Sequence, residues 1–380
     1  MVACAGIPSV ECGMTIQHYG WPSSPFSAKT RAYLTSIQAD FRDVEPHALT
    51  LYRKIQPAIG YIMMPTVELE DGTFLQDSSR IIDHFESQPG IPSIFPTTPK
   101  QRLCSVLLEV FADEWLPLIA MCTRWQIPEN RHFAQTDFGK CAFPWLPSFV
   151  SRRLAKPMAA KMSSYLQVLG ITDATTPQIF SWLEELSAQL NTHLSEHAFL
   201  LGERPSLADF ALAAPLYAHV WRDPGSRHYI EKNNKLLSWL QAVQAGPAIA
   251  GDYLQDDVVP ETLLPILRHQ REAQFPILRE TFERVHAKVT GPDFNGKLPR
   301  SLGMAPITVG GANADRRVLV MNQWKAQRIY DTLDGFEPDT REAVLSWATA
   351  TLGYTQELRE PPKTRVEYQG YRLGVVQGGT

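Results

Sequence analysis

The sequence predicts an α/β domain at the N-terminus, an all-α domain in the middle and a small α+β appendage at the C-terminus. Three observations predict it. Over the first 88 residues, short alternating runs exchange with helical ones in the order β-α-β-α-β-β-α. From about 101 to 289 the apolar spacing is almost wholly helical. After 298, strand-like runs return, joined by Gly, Asn and Asp. At 380 residues the chain is too long for one ordinary core. The divisions are expected at 1–90, 91–290 and 291–380.

The elements follow in order. Residues 14–20 (MTIQHYG) alternate apolar and polar as a half-buried strand does. The turn WPSSPF leads into SAKTRAYLTSI, which has helical spacing. A second strand is expected over 39–45 and a short helix over 46–55. MMPTVELEDGTFLQDSSRIIDHFES holds a strand at 66–69, an Asp71-Gly72 turn, a strand at 73–75 and a helix from Ser78. Asp-Gly between two apolar runs is a strong hairpin signal. IPSIFPTTPK (91–100) is Pro-rich and reads as a linker. The main helices are then LLEVFADEWLPLIAMCTRW, RLAKPMAAKMSSYLQVLG, PQIFSWLEELSAQLNTHL, SLADFALAAPLYAHVW and LLPILRHQREAQFPILRETFERVHAKV, the last interrupted at Pro276. In the appendage, MAPITVGG and RRVLVMNQW read as strands, 322–333 and 338–352 as helices, and RVEYQGYRLGVV as a hairpin about Gln369-Gly370.

Composition narrows the function. With 44% apolar and 20% charged residues the chain can build sizeable cores. A net charge of −4 gives no face-wide basic excess, so nucleic acid is not an expected partner. The five cysteines are odd in number and widely spaced, with no CxxC, which argues against a disulfide framework or zinc site and for a reducing compartment. The ten histidines read as having no HxxxH or HExxH spacing, and with no matching carboxylate cluster no metal is expected. The first residues lack a basic start and an unbroken apolar run, and no stretch is long enough to span a membrane. A cytoplasmic protein is expected.

Four motifs carry chemistry or architecture. Ser24-Pro25-Phe26-Ser27-Ala28-Lys29-Thr30-Arg31 stands where the first strand meets the first helix. Unpaired N–H groups and a positive dipole end stabilise an anion there. Met64-Pro65 enters the strand at 66–69. Gln76-Asp77-Ser78-Ser79 opens a helix with favoured capping residues. Phe199 to Phe210 (FLLGERPSLADF) places Ser206 and Asp209 at capping-box spacing. In this order, over about residues 14–250, the motifs make the chain resemble the glutathione S-transferase superfamily.

That resemblance implies a thioredoxin-like N-terminal domain and an all-α domain, with glutathione as co-substrate and no metal. The omega-like classes carry Cys-Pro-Phe at the corner, and here Ser24 stands where their cysteine does. Serine forms no mixed disulfide, so conjugation is implied rather than thiol-disulfide chemistry: Ser24 would donate a hydrogen bond to the glutathione sulfur and hold it as thiolate. Ser23 is the rival catalytic residue, and both serines can also serve only as helix caps. Phe26, Met64, Pro65, Asp77 and Ser78 are the implied glutathione-binding residues. A cis proline would free the Met64 backbone to pair with the cysteinyl part. Asp77 would face the γ-glutamyl ammonium, and Ser78 with the helix-start N–H groups would hold its carboxylate. The Ser206–Asp209 motif is structural. A homodimer is also implied, with the appendage blocking or replacing the usual surface.

The second substrate is expected between the corner and the helical domain, among Trp21, Phe26, Trp115, Met121, Arg124, Trp125, Tyr217 and Trp221. Arg124, Arg131 and Arg222 are candidates for an acidic substrate group, or else surface arginines paired with Glu129 or Asp223. The reading is thiolate attack on a small apolar electrophile. The alternative is a non-catalytic glutathione-binding or docking module. A thiol reductase using Cys12 or Cys122 is a third option. An enzyme needs a free apolar cleft beside Ser24, whereas a docking module can have it filled by its own side chains or by residues 298–380.

Overall fold

The computed structural model describes residues 15–376. Cys4, Cys12 and the Met14 end of the first expected strand lie outside them. The α/β unit runs β1 (Ile16–Tyr19), α1 (Pro25–Ser36), β2 (Phe41–Val44), α2 (Ala48–Thr50), a π turn (Leu51–Ile55), α3 (Gln56–Ile59), β3 (Thr66–Glu68), β4 (Phe74–Gln76) and α4 (Ser78–Glu86). Its sheet has the order β2-β1-β3-β4, with β2 parallel to β1 and the other pairs antiparallel. The Asp71-Gly72 turn forms as the sequence predicts: Gly72 takes φ +81°, and Asp71 Oδ1 accepts from the Thr73 N–H at 2.8 Å.

The helical domain comprises α5 (Pro99–Glu114), α6 (Pro117–Gln126), α7 (Pro128–Ala142), α8 (Ser148–Leu154), α9 (Lys156–Ser163), α10 (Tyr165–Leu169), α11 (Thr176–Glu196), α12 (Leu207–Pro215), α13 (His228–Glu231), α14 (Asn234–Gln244), α15 (Leu264–Ala273) and α16 (Phe275–Thr290). Proline sets several boundaries. The run expected as one helix over 107–125 is split at Pro117, which opens α6, and 263–289 is divided at Pro276 in the first turn of α16. α12 starts at a capping box in which Asp209 accepts from the N–H groups of Ser206 (2.8 Å) and Leu200 (2.9 Å) and from Trp239 Nε1 (3.0 Å). None of the described helices is long and apolar enough to cross a membrane.

The C-terminal region holds the hairpin β5 (Ser301–Val309) and β6 (Ala312–Leu319), then α17 (Val320–Asp334), α18 (Pro338–Leu352) and the hairpin β7 (Val366–Gln369) and β8 (Arg372–Val375). It does not stand apart. Ile307, Val318, Ile329, Leu333, Leu345 and Leu352 join the same apolar core as α5 and α11. α17 lies on α5. The β7–β8 hairpin leans on the α/β unit: Tyr61 donates to the Tyr371 carbonyl at 2.8 Å, and Tyr371 donates to the Phe74 carbonyl at 3.0 Å.

Two buried histidines predict acid sensitivity. Burial pushes His193 down to about 4 and His219 well below its ordinary value. Between pH 6.5 and 4 the unfolded chain binds protons that the folded chain refuses, so stability falls as pH drops through that window. His193 alone accounts for about 3 kcal/mol of loss by pH 4. Urea midpoints between pH 8 and pH 4 should show this decline, and His193→Gln should flatten it.

Candidate active site

The corner between β1 and α1 is fixed from several sides. Ser24 caps α1, its Oγ accepting from the Ser27 N–H at 3.2 Å, while Pro25 fills a first-turn position that needs no donor. This leaves the Ser24 hydroxyl proton free to point outward. Gly20 permits the close approach of the helix: a Cβ there would lie 2.6 Å from the Ser27 Cβ. Behind the corner, the Ser23 carbonyl accepts from Arg124 Nη1 at 3.0 Å and lies 3.0 Å from His219 Nε2. Arg124 also pairs with Asp223 through Nε and Nη2, both at 2.7 Å, and donates to the Ala218 carbonyl at 2.9 Å. Arg124 is therefore a buried clamp, not the surface arginine the sequence allows for, and little of it is left for an acidic ligand. Arg131 donates to the Trp125 carbonyl, and Arg222 pairs with Asp137 rather than with Asp223 or Glu129.

Beside Ser24 opens a cavity of about 630 Å³. Ser23, Ser24, Phe26 and Met64 line it from the α/β unit. Trp21, Met121, Arg124 and Trp125 join them, with Phe138, Phe143, Met158 and Met162 completing a mostly apolar wall. Pro65, in a cis peptide with Met64, lies buried just off it. Three expected substrate residues are elsewhere. Trp115 is buried under Arg316, with 5.1 Å from guanidinium to ring, and Tyr217 and Trp221 lean on each other off the cavity. The wall from α9, including Met158 and Met162, carries no residue that the sequence marked for the site; its only signal was an apolar helical face.

Asp77 and Ser78 also lie off the cavity, buried under α17 and the β7–β8 hairpin. Asp77 sits at φ +75°, a strained setting for a residue with a Cβ, and its Oδ1 accepts from the Ser79 N–H at 2.9 Å. The same oxygen takes Lys325 Nζ of α17 at 3.0 Å. Lys325 further donates to Ser79 Oγ (2.6 Å) and Asp113 Oδ2 (2.9 Å). Lys29 of α1 bonds Glu109 (2.8 Å) and Asp113 (2.9 Å) of α5, and Arg328 of α17 joins Glu109 (2.9 Å) to Asp83 of α4. Burial opposes charge on Lys325, but Asp113, Asp77 and Glu109 outweigh it and raise its pKa. Burial likewise opposes ionisation of Glu109, and Arg328, Lys29 and Lys325 hold it below the usual carboxylate range. At the end of α5, burial pushes Glu114 up to about 7.

Other reactive groups are accounted for. Cys104, Cys122 and Cys141 are buried free thiols. Burial pushes Cys122 up to about 12 and the other two higher still, which disables them as nucleophiles. Contrary to the sequence reading, His193-Leu194-Ser195-Glu196-His197 does carry an HxxxH spacing. Its rings lie 5.0 Å apart with His193 Nδ1 on Thr262 Oγ1. Among the described residues no group of three His, Cys, Asp or Glu side chains is placed to hold an ion.

The fold and the corner define a thioredoxin-like α/β unit joined to a helical domain, with a helix-start serine facing a cavity between them and an added C-terminal region with small sheets. Residues 19–93 match the family model described as glutathione S-transferase, N-terminal domain, and residues 173–242 match glutathione S-transferase, C-terminal domain. These matches support the glutathione S-transferase superfamily. Similar solved structures include a glutathione S-transferase of Xanthobacter autotrophicus Py2 (21% identity, 62% of this chain and 96% of that one, TM-score 0.38). Another is a glutathione S-transferase of Ceriporiopsis subvermispora in complex with glutathione (15%, 63% and 100%, TM-score 0.42). A third is a β-etherase of Sphingobium sp. strain SYK-6 (21%, 62% and 97%, TM-score 0.41). No curated protein matches the chain.

The Arg124 clamp is testable. Arg124→Met strands the buried Asp223 carboxylate and frees the Ser23 carbonyl. Urea denaturation should show a loss of about 3–5 kcal/mol.

Proposed function

We propose that the protein is a glutathione transferase that activates the bound thiol at Ser24 for attack on a small apolar electrophile. One observation carries the reading: the cavity beside Ser24 is open and joins the corner, the Met64 backbone and an apolar wall in one space. Ser24 Oγ is already an acceptor for the Ser27 N–H, so its own proton is available to a sulfur in the cavity. The start of α1 adds a favourable dipole. Together they lower the thiol pKa from about 8.5; one unit corresponds to about 1.4 kcal/mol. The thiol proton leaves to solvent on ionisation. The sulfur–carbon bond then forms on an electrophile held against Trp125, Met121 and Phe138; with an aryl halide the carbon–halogen bond breaks and the halide leaves to solvent. Bringing the two reactants together in that cavity supplies a further share of the rate.

A second reading, a docking module without turnover, is favoured by a different observation: Lys325 of the C-terminal region is bonded to Asp77.

Calorimetric titration with glutathione, beside a rate assay with an aryl halide, tests both. Wild type is expected to bind and turn over. Ser24→Ala should keep its affinity within about threefold, lose rate about tenfold at pH 7, and show its kinetic thiol pKa raised by about one unit. Binding without turnover selects the second reading, and no binding by wild type sinks the glutathione assignment.

A further inference from the structure

The start of α4 is closed by a cation from a segment about 250 residues further along the chain. Lys325 has three N–H groups, and all three are committed, to Asp77, Ser79 and Asp113. The side chain is 2% exposed, and Ser78 beside Asp77 is 1% exposed. We infer that Lys325 sets the co-substrate specificity of the Ser24 site, its ammonium holding the place at Asp77 that the amino group of a γ-glutamyl thiol needs. The thiol used is therefore recognised at its cysteinyl part and gains nothing from a charged amino head. This inference rests on the transferase reading above.

Charge and packing both make Lys325 a fixed occupant rather than a gate. The carboxylates of Asp77, Asp83, Glu109 and Asp113 meet the cations Lys29, Lys325 and Arg328. An incoming ammonium would supply the charge that Lys325 already supplies. Withdrawing Lys325 to make room would leave the buried Asp113 short of a partner. It would also drag α17 from its seat, where Ala326, Ile329 and Leu333 are fully buried and Arg328 is tied to Glu109. Ser24 and Met64 line the cavity and Lys325 does not, so Lys325 leaves them accessible, although Lys29 and Asp113 of the cluster reach the cavity wall. The cysteinyl end of a thiol can dock while its amino head finds the recess taken.

The test compares glutathione with N-acetylcysteinylglycine, which keeps the thiol and the glycyl end but has no γ-glutamyl head. Rates of the full chain with an aryl halide are measured for both, with Ser24→Ala as the control for site dependence. Equal kcat/KM within about threefold is expected, and a preference for glutathione of tenfold or more overturns the inference. A second arm needs no turnover. Lys325→Ala should melt lower than wild type and be raised again by methylammonium, which fits the vacated site, but not by tetramethylammonium at equal ionic strength. Lys325→Met, which refills the space without charge, should not respond. If Lys325→Ala folds and methylammonium fails to raise its melting temperature, Asp77 is not an ammonium site and the inference falls. If neither thiol reacts, the transferase reading fails while the methylammonium arm still decides the role of Lys325. If Lys325→Ala does not fold, the thiol comparison on wild type decides it.

Discussion

The structure depends on a buried ionic contact between helices that the sequence keeps far apart. Lys29 on α1, Asp83 on α4, Glu109 and Asp113 on α5, and Lys325 and Arg328 on α17 meet in one cluster. Taking charges out of water is costly, and the cost is offset only where geometry is good and every partner is present. Here each buried cation finds at least two oxygens. Such a cluster is weak evidence for added stability, since well-packed apolar residues can do as well. What it does supply is registry. A slip of α17 by one residue along α5 would strand several charges at once, whereas an apolar contact would repack. The α/β unit, the helical domain and the C-terminal region are thereby held in a single arrangement.

That arrangement has consequences at both ends of the candidate site. At the corner, Arg124, itself held by Asp223, reaches across from the helical domain to the Ser23 carbonyl, so the position of Ser24 is set by α6 as much as by β1 and α1. At the start of α4, α17 performs the opposite service and closes what would otherwise be a polar recess. The cavity between them is walled mostly by apolar side chains from α6, α7 and α9.

Much of this was legible in the sequence because it is local. The Asp71-Gly72 turn, the Ser24-Pro25 helix start, the Ser206–Asp209 capping box and the order of strands and helices, including the appendage, each depend on residues a few positions apart. What was not legible depends on distant contacts. Trp115 and Trp125 look alike as aromatics in one helical run. The break at Pro117 leaves Trp115 at the end of α5 against Arg316 and carries Trp125 to the cavity on α6. α7 was missed because its apolar residues do not form one clear stripe. Lys325 offered no signal at all: a lysine in a helix is ordinarily solvated, and only the fold brings it to Asp77.

The chemistry open to the site follows from where sulfur stands in the fold. A thiol is a useful nucleophile only as thiolate, and burial without a nearby cation suppresses ionisation. Burial dominates at Cys104, Cys122 and Cys141, even with Arg222 near Cys141. The position where helix dipole and hydrogen bonding would favour a thiolate is occupied by Ser24, whose oxygen can donate to sulfur but cannot form a disulfide with it. Among the described residues, then, the fold provides an activating position and no sulfur of its own to activate. On the proposed reading a thiol that reacts there arrives with the ligand, and Asp77 at the start of α4 is already paired with Lys325.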